Sequence, residues 1–365
     1  MLLAALSTAC TPTAPSVDAS AATRANWAEL LSKSGNAEGF GAIQAPVQLA
    51  FPRDHGPHYA QRTEWWYVTG NLRAQLREFG FQLTFFRLAK RPGAPENRAL
   101  ANSQIMMAHF ALTDVSGQQF YQAERFAFVD QQLASIEASP LALRLDDWQL
   151  TAQDPQLKQM TLSAHDAQVS INLQLRDLAG IVAQGEQGFS AKTLDGQQAS
   201  AYYSMPRFAT QGSIQIGGQR FEVSGLSWLD REWSTSQLAP EQIGWRWFAR
   251  QFEDGSDLML YLLLRSDGSV DPASAGTFRR ADGSVRKYRQ AEIQATPAQL
   301  WQAPDGSAFP LSWSLNLPEV GAIQVQAKLA DQYFAQRFRY WEGAVRVSGA
   351  RAGSGYLEQT GSLAR

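Results

Sequence analysis

The segment FPRDHGPHYAQRTEWWYVTG, residues 51–70, sets Asp54, His55, His58, Arg62 and Glu64 beside Trp65, Trp66 and Tyr67. Histidine can serve as acid, base or ligand near neutral pH. A carboxyl next to an indole in an apolar cavity has a raised pKa, which suits a general acid. Each residue also has a plainer reading. Asp54 can cap the Gly/Pro turn, with His55 bonded to backbone. Glu64 can form an ion pair with an arginine such as Arg87. A second cluster, Trp228-Leu229-Asp230-Arg231-Glu232-Trp233, again sets charges between tryptophans. On a strand, Asp230 and Glu232 share one face, and Arg231 and Trp233 share the other. The alternative is an interdomain ion-pair cluster, with Arg246 and Arg250 as partners. His109 lies among Ile105, Met107 and Ala111, as a core histidine or a pocket residue. Tyr203, at a strand end, offers a hydroxyl to a ligand or simply packs. The candidate catalytic set is Asp54, His55, Glu64, Asp230 and Trp233. The candidate ligand-binding set is Trp65, Trp66, Tyr67, Arg87, His109, Tyr203, Arg231, Trp245, Trp247 and Arg250.

The elements that must carry these residues are strands. In FGFQLTFFR, Phe79, Phe81, Leu83 and Phe85 alternate with Gly80, Gln82 and Thr84, the period of two of a half-buried strand. Arg87 falls on the phenylalanine face and needs a partner there, because an unpaired buried charge is costly. Residues 105–114 read as a buried strand that ends in a turn at Ser116-Gly117. Asp-Gly and Gly-Gly pairs at 195–196, 217–218, 254–255, 267–268, 282–283 and 305–306 mark further turns. Many short strands with repeated glycine turns make an all-β sandwich or barrel. EWWYVTG…FGFQLTFFR is echoed by residues 244–265, and Val-Ser-Gly recurs at 223–225 and 347–349. The echoes predict two related β-barrels joined near residues 226–236. Residues 258–264, LMLYLLL, are apolar on both faces, as a strand at a barrel–barrel interface would be.

The chain has 365 residues, a net charge of −2 and 11 tryptophans. That length allows two domains, and the near-neutral charge gives no reason to expect a nucleic-acid partner. Cys10 is the one cysteine, so no intrachain disulfide and no cysteine-based metal site can form. With four dispersed histidines, no metal and no cofactor is expected. No GxSxG elbow, P-loop or HExxH motif is present. Residues 1–9 are small and apolar, and Leu6-Ser7-Thr8-Ala9-Cys10 is similar to the end of a bacterial lipoprotein signal. The expected organisation is a signal remnant and tether over 1–22, a short helix and lead-in over 23–45, one barrel over 46–232 and a second over 233–365. Lipidation of Cys10 would anchor the chain to a membrane in the periplasm or at the outer membrane.

Taken in order, FPRDHGPH, RTEWWYVTG, GFQLTFFR, AHFALTD, AYYSMPR, SWLDREWSTSQL, GWRWF, YWEGAVRVSG and GSGYLEQTG resemble the secreted AttH-like proteins, relatives of carotenoid 1,2-hydratase that carry the label "predicted secreted hydrolase". The resemblance runs from Phe51 to the C-terminus. It implies two tandem lipocalin-like antiparallel β-barrels, with an apolar ligand in a barrel or in the cleft between barrels. In the carotenoid hydratases the segment matching LDREW carries a His-x-Trp element important for activity. Here Trp233 is kept and Arg231 takes the histidine place, and arginine cannot shuttle protons near neutral pH. The expected function is binding of an apolar small molecule, with hydration or another acid-assisted step in which a carboxylate protonates, Trp and Tyr rings stabilise positive charge and Arg87 or Arg250 holds the acid's charge state. The rivals are a carrier that serves an ABC transporter and a secreted hydrolase.

Overall fold

Alternation of large apolar and polar side chains dominates the chain, and in the computed structural model it is realised as β-structure throughout. The structure describes residues 38–96, 103–130, 132–235 and 238–361. Cys10, the tether and the expected helix lie outside these residues. No α-helix occurs among the described residues.

The first sheet contains β1 (Thr63–Ala74), β2 (Arg77–Ala89), β3 (Gln104–Asp114), β4 (Gln119–Phe128), β5 (Ala134–Ala138), β6 (Leu141–Leu145), β7 (Trp148–Ala152), β8 (Gln159–His165), β9 (Val169–Asp177), β10 (Val182–Ala183), β11 (Phe189–Ala191), β12 (Ala199–Ile216) and β13 (Gln219–Ser234). Its order is β4-β3-β2-β1-β13-β12-β9-β8-β7-β6-β5, with β10 and β11 paired to β12. The second contains β14 (Gln242–Phe252), β15 (Asp257–Arg265), β16 (Ala275–Arg279), β17 (Val285–Arg289), β18 (Gln294–Gln302), β19 (Ala308–Leu317), β20 (Gly321–Ala327), β21 (Tyr333–Ala335), β22 (Arg339–Gly349) and β23 (Gly353–Gln359). Its order is β17-β16-β15-β14-β23-β22-β20-β19-β18, with β21 paired to β22. The pairings in both sheets are antiparallel. The first sheet forms a nearly closed barrel and the second a half-barrel, in agreement with the expected tandem architecture.

Each barrel has its own core. Trp66, Val68, Phe81, Leu83 and Phe85 belong to the first, and Phe248, Leu258, Leu260, Leu262 and Trp341 to the second. A third apolar cluster lies between them, where Tyr67, Tyr202 and Trp228 meet Trp247, Met259, Tyr261, Leu263 and Tyr356. β15 therefore sends Leu258, Leu260 and Leu262 into its own barrel and Met259, Tyr261 and Leu263 into the interface. That is why its sequence is apolar on both faces. Gly80 sits where the barrels touch: a Cβ there would lie 2.5 Å from the Ala344 Cβ.

Candidate active site in the cleft between the barrels

β1 and β13 pair directly, Glu64 opposite Trp233, Trp66 opposite Arg231 and Tyr67 opposite Asp230. The two faces of this ribbon do different things. Glu64, Trp66, Arg231 and Trp233 point into the first barrel. Trp65, Tyr67, Asp230 and Glu232 point into the cleft between the barrels. The pleat separates the charges of the two tryptophan motifs onto opposite sides of one sheet.

On the barrel side, Glu64 is fully buried and salt-bridged to both Arg87 and Arg231. It also accepts the His58 backbone N–H at 3.0 Å. Arg87 further donates to the Gln104 Oε1 at 2.6 Å and to the His58 and Gln61 carbonyls at 2.8 Å. The Arg231 guanidinium lies 3.9 Å from the Trp66 ring centre, and the His58 ring stacks on Trp233 at 3.8 Å. Burial favours the neutral acid, but the two guanidinium charges outweigh it and hold Glu64 well below the usual carboxylate range. Of the two readings of Glu64, the ion pair with Arg87 is the one found and the raised pKa is not: the indole is its neighbour, but two arginines decide its charge. Asp54 accepts the Ala50 N–H at 2.8 Å and bonds to Arg53 at 2.7 Å and to His58 at 3.3 Å. These partners outweigh its burial and keep it ionised. The His55 Nδ1 lies 2.6 Å from the Tyr203 hydroxyl, and burial first, then Arg231, lowers its pKa to about 4. Asp54, His55, Glu64, Arg87, Tyr203, Arg231 and Trp233 thus form one barrel-side network, away from the cleft.

The cleft is a partly open pocket between the barrels. Trp65, Tyr67, Trp245, Trp247, Tyr202 and Tyr340 form much of its wall. Four acids enter it. Asp230 accepts hydrogen bonds from the Trp228 indole at 2.7 Å, the Tyr202 hydroxyl at 2.8 Å and the Ser204 hydroxyl. Burial nonetheless raises its pKa to about 7. The Glu232 Oε1 is salt-bridged to Lys192 at 3.0 Å and accepts the Ser200 hydroxyl. Burial works against the Lys192 charge, but Glu232 outweighs it and holds the ammonium above its ordinary pKa.

The other two acids come from the second barrel. Glu342 on β22 stands directly opposite Glu358 on β23, so both side chains share a face. Glu342 is 2 % exposed; it accepts the Tyr67 hydroxyl on Oε1, while its Oε2 is buried with no hydrogen-bond partner among the described residues. Glu358 accepts the Trp245 indole N–H at 3.1 Å. Burial raises Glu358 to about 8, and burial together with Glu358 raises Glu342 well above the carboxylate range. No salt bridge reaches either acid among the described residues.

His109 stands behind this wall, its Nδ1 2.7 Å from the Tyr340 hydroxyl and its Nε2 3.2 Å from Glu124. Arg246 and Arg250 do not pair with Asp230 or Glu232. They point away from the cleft and donate to carbonyls, Arg246 to Thr360 and Gly361 and Arg250 to Ala249 and Tyr356. Strand phase is the reason: Trp245, Trp247 and Ala249 occupy the cleft face of β14.

Of the residues singled out in the sequence, the structure brings Trp65, Tyr67, Asp230, Trp245 and Trp247 together. It adds Lys192, Tyr202, Tyr340, Glu342 and Glu358. Tyr202, not Tyr203, faces the cleft, because Tyr202 pairs with Glu232 across β12 and β13. Glu342 and Glu358 sit inside the motifs YWEGAVRVSG and GSGYLEQTG, where a lone acid among apolar residues was their visible signal. Lys192 had none.

Two tandem antiparallel barrels with an acid-lined aromatic cleft between them define the class. Within it, residues 42–362 match the AttH-like family, and the chain belongs to that family. A crystal structure of an AttH-type protein from Nitrosomonas europaea superposes with a TM-score of 0.81 at 31% identity, covering 89% of this chain and 100% of that one. Kievitone hydratase from Nectria haematococca shares the fold, with a TM-score of 0.67 at 14% identity over 88% of this chain and 96% of that one. Kievitone hydratase of Fusarium solani subsp. phaseoli is 23% identical over 144 residues, which span 38% of this chain and 40% of that enzyme.

Proposed function

We propose that the protein is a hydratase that adds water to a carbon–carbon double bond of an apolar small molecule held in the cleft between the barrels. The observation that carries this reading is the opposed Glu342–Glu358 pair, two carboxyls kept neutral by burial among aromatic rings, facing the same cleft as the ion-paired Glu232. A carboxyl held neutral and a carboxylate paired with a lysine, facing one cleft, can divide the roles of acid and base between them.

The Glu342 carboxyl gives its proton to one alkene carbon; a C–H bond forms as the π bond breaks. Positive charge develops on the other carbon, where tryptophan and tyrosine rings attract it. Water adds to that carbon, forming the C–O bond, and its surplus proton passes to Glu232. Lys192 and Ser200 both engage the Oε1 of Glu232, which leaves Oε2 for the water. Solvent exchange then returns a proton to Glu342. The names of the two fungal relatives support the reaction class.

On this reading the Lys192–Glu232 ion pair and the protonated pair favour chemistry over simple carriage. A carrier linked to an ABC transporter would release its ligand unchanged. The Cys10 motif supports an envelope lipoprotein, which labelling with a radioactive fatty acid would test: label on the native chain and none on Cys10→Ser is the expected result. The direct test of the function is Glu342→Gln. Its turnover should drop by about 10²–10⁴-fold, the usual contribution of a general acid, while ligand affinity stays within a few-fold. Unchanged turnover would remove Glu342 from the mechanism.

A further inference from the structure

We propose that the Glu342–Glu358 end of the cleft is a binding site for a lipophilic organic monocation of trimethylammonium type. This rests on reading the cleft as the reaction site and extends it to a ligand class that the hydration reading does not name.

Like charges directly opposite on neighbouring strands are destabilising. Glu342 and Glu358 hold that arrangement at the interface of two barrels. Among the described residues neither acid has a cationic partner, and the Glu342 Oε2 is buried without any hydrogen-bond partner. Among the described residues that line the cleft, the one cationic side chain, Lys192, is already engaged by Glu232. A buried acid pair of this kind is balanced either by retained protons or by a guest cation. The rings around it suit the second. Trp65, Tyr67, Trp245, Trp247 and Tyr340 line the same space, and aromatic walls recognise quaternary ammonium groups through their negative faces. A metal ion fits poorly, since no group of three or more candidate ligand side chains is present among the described residues. In mild alkali, where Glu358 loses its proton first, the pair presents one negative charge to one guest. The same arrangement would hold the positive charge that alkene protonation creates, so a stable ammonium mimics the reacting species.

The test compares benzyltrimethylammonium with neopentylbenzene, its neutral isostere, by quenching of tryptophan fluorescence under mildly alkaline conditions. The cation should bind about tenfold more tightly or better, as expected for a desolvated cation on aromatic rings. The preference should vanish in the Glu342→Gln, Glu358→Gln double variant and persist in Lys192→Met. Equal or tighter binding of neopentylbenzene to the native protein would overturn the proposal, as would a cation preference that survives in the double variant. Native protein needs no variant to fold, so the isostere comparison decides by itself. Turnover of a neutral alkene is a separate readout. A cleft that binds the ammonium but hydrates nothing would contradict the hydratase reading alone, and the reverse result would contradict this inference alone.

Discussion

Two buried glutamates, Glu64 and Glu342, show how neighbours decide the chemistry of one residue type. Both are nearly inaccessible and both lie near tryptophans, yet they are pushed in opposite directions. Glu64 meets two guanidinium groups and is held as a carboxylate. Glu342 meets the Tyr67 and Tyr340 hydroxyls and a second acid, and burial with that acid raises it well above the carboxylate range. Glu64→Gln should therefore act on stability. Leaving Arg87 and Arg231 uncompensated in the core should cost about 3–5 kcal/mol, read as a lower denaturation midpoint. A fully stable Glu64→Gln variant would show that the ion pairs are not structural. The acid pair makes a pH prediction. Hydration needs Glu342 protonated, and burial with Glu358 holds that carboxyl well above the usual carboxylate range, so the rate should hold through neutral pH and fall only on the alkaline side, as Glu342 itself ionises. The groups facing the pair are Tyr67, Tyr340, Tyr356 and, across the cleft, Asp230 and Glu232. In Glu358→Gln the neighbouring acid is gone, so the alkaline limb should move to lower pH; a profile that does not move would separate Glu358 from the acid.

At the scale of strands, the ribbon β1–β13 is where sequence reading did best and where it stopped. The alternations Glu64/Trp66 against Trp65/Tyr67 and Asp230/Glu232 against Arg231/Trp233 are visible in the sequence, because a period of two is intrinsic to a strand. Which face met the cleft was not, since either face could be buried. The tertiary structure assigns Glu64 and Arg231 to the first barrel and Asp230 to the cleft. The apolar run of β15 also announced its interface position. Tyr203 was read one residue out of phase, because the phase of β12 is set by pairing with β13, far along the chain. Glu342 and Glu358 escaped because their significance lies in cross-strand register and in approach to the other barrel. That register gives a stability prediction. A carboxyl with a folded pKa raised above its unfolded value binds more protons in the native state, so stability is fully present below the unfolded pKa near 4.5 and is lost as pH rises toward about 8. Glu358→Gln removes that loss. The variant should match the native protein in mild acid and exceed it in thermal midpoint above pH 8, and equal midpoints at alkaline pH would contradict the raised value.

For the whole molecule, the two barrels matter because the cleft belongs to neither. β1, β12 and β13 bring Tyr67, Tyr202, Asp230 and Glu232, and β14, β22 and β23 bring Trp245, Trp247, Glu342 and Glu358. Gly80 permits the close approach, with Ala344 and Tyr356 against it. Gly80→Leu should force β2 from β22 at a cost of about 1–3 kcal/mol and should reduce turnover more than it reduces stability, because it displaces the strand that carries Glu342. Retained activity with a lowered midpoint would show that the cleft tolerates a shift between barrels. The central claim, water addition in this cleft, is tested most directly by incubating the Cys10→Ser protein in oxygen-18 water with the apolar extract of its source cells and analysing the extract by mass spectrometry. The expected result is one extract component that gains a single labelled water with native protein and not with Glu342→Gln. A ligand bound and released with its mass unchanged would contradict the account and make the protein a carrier.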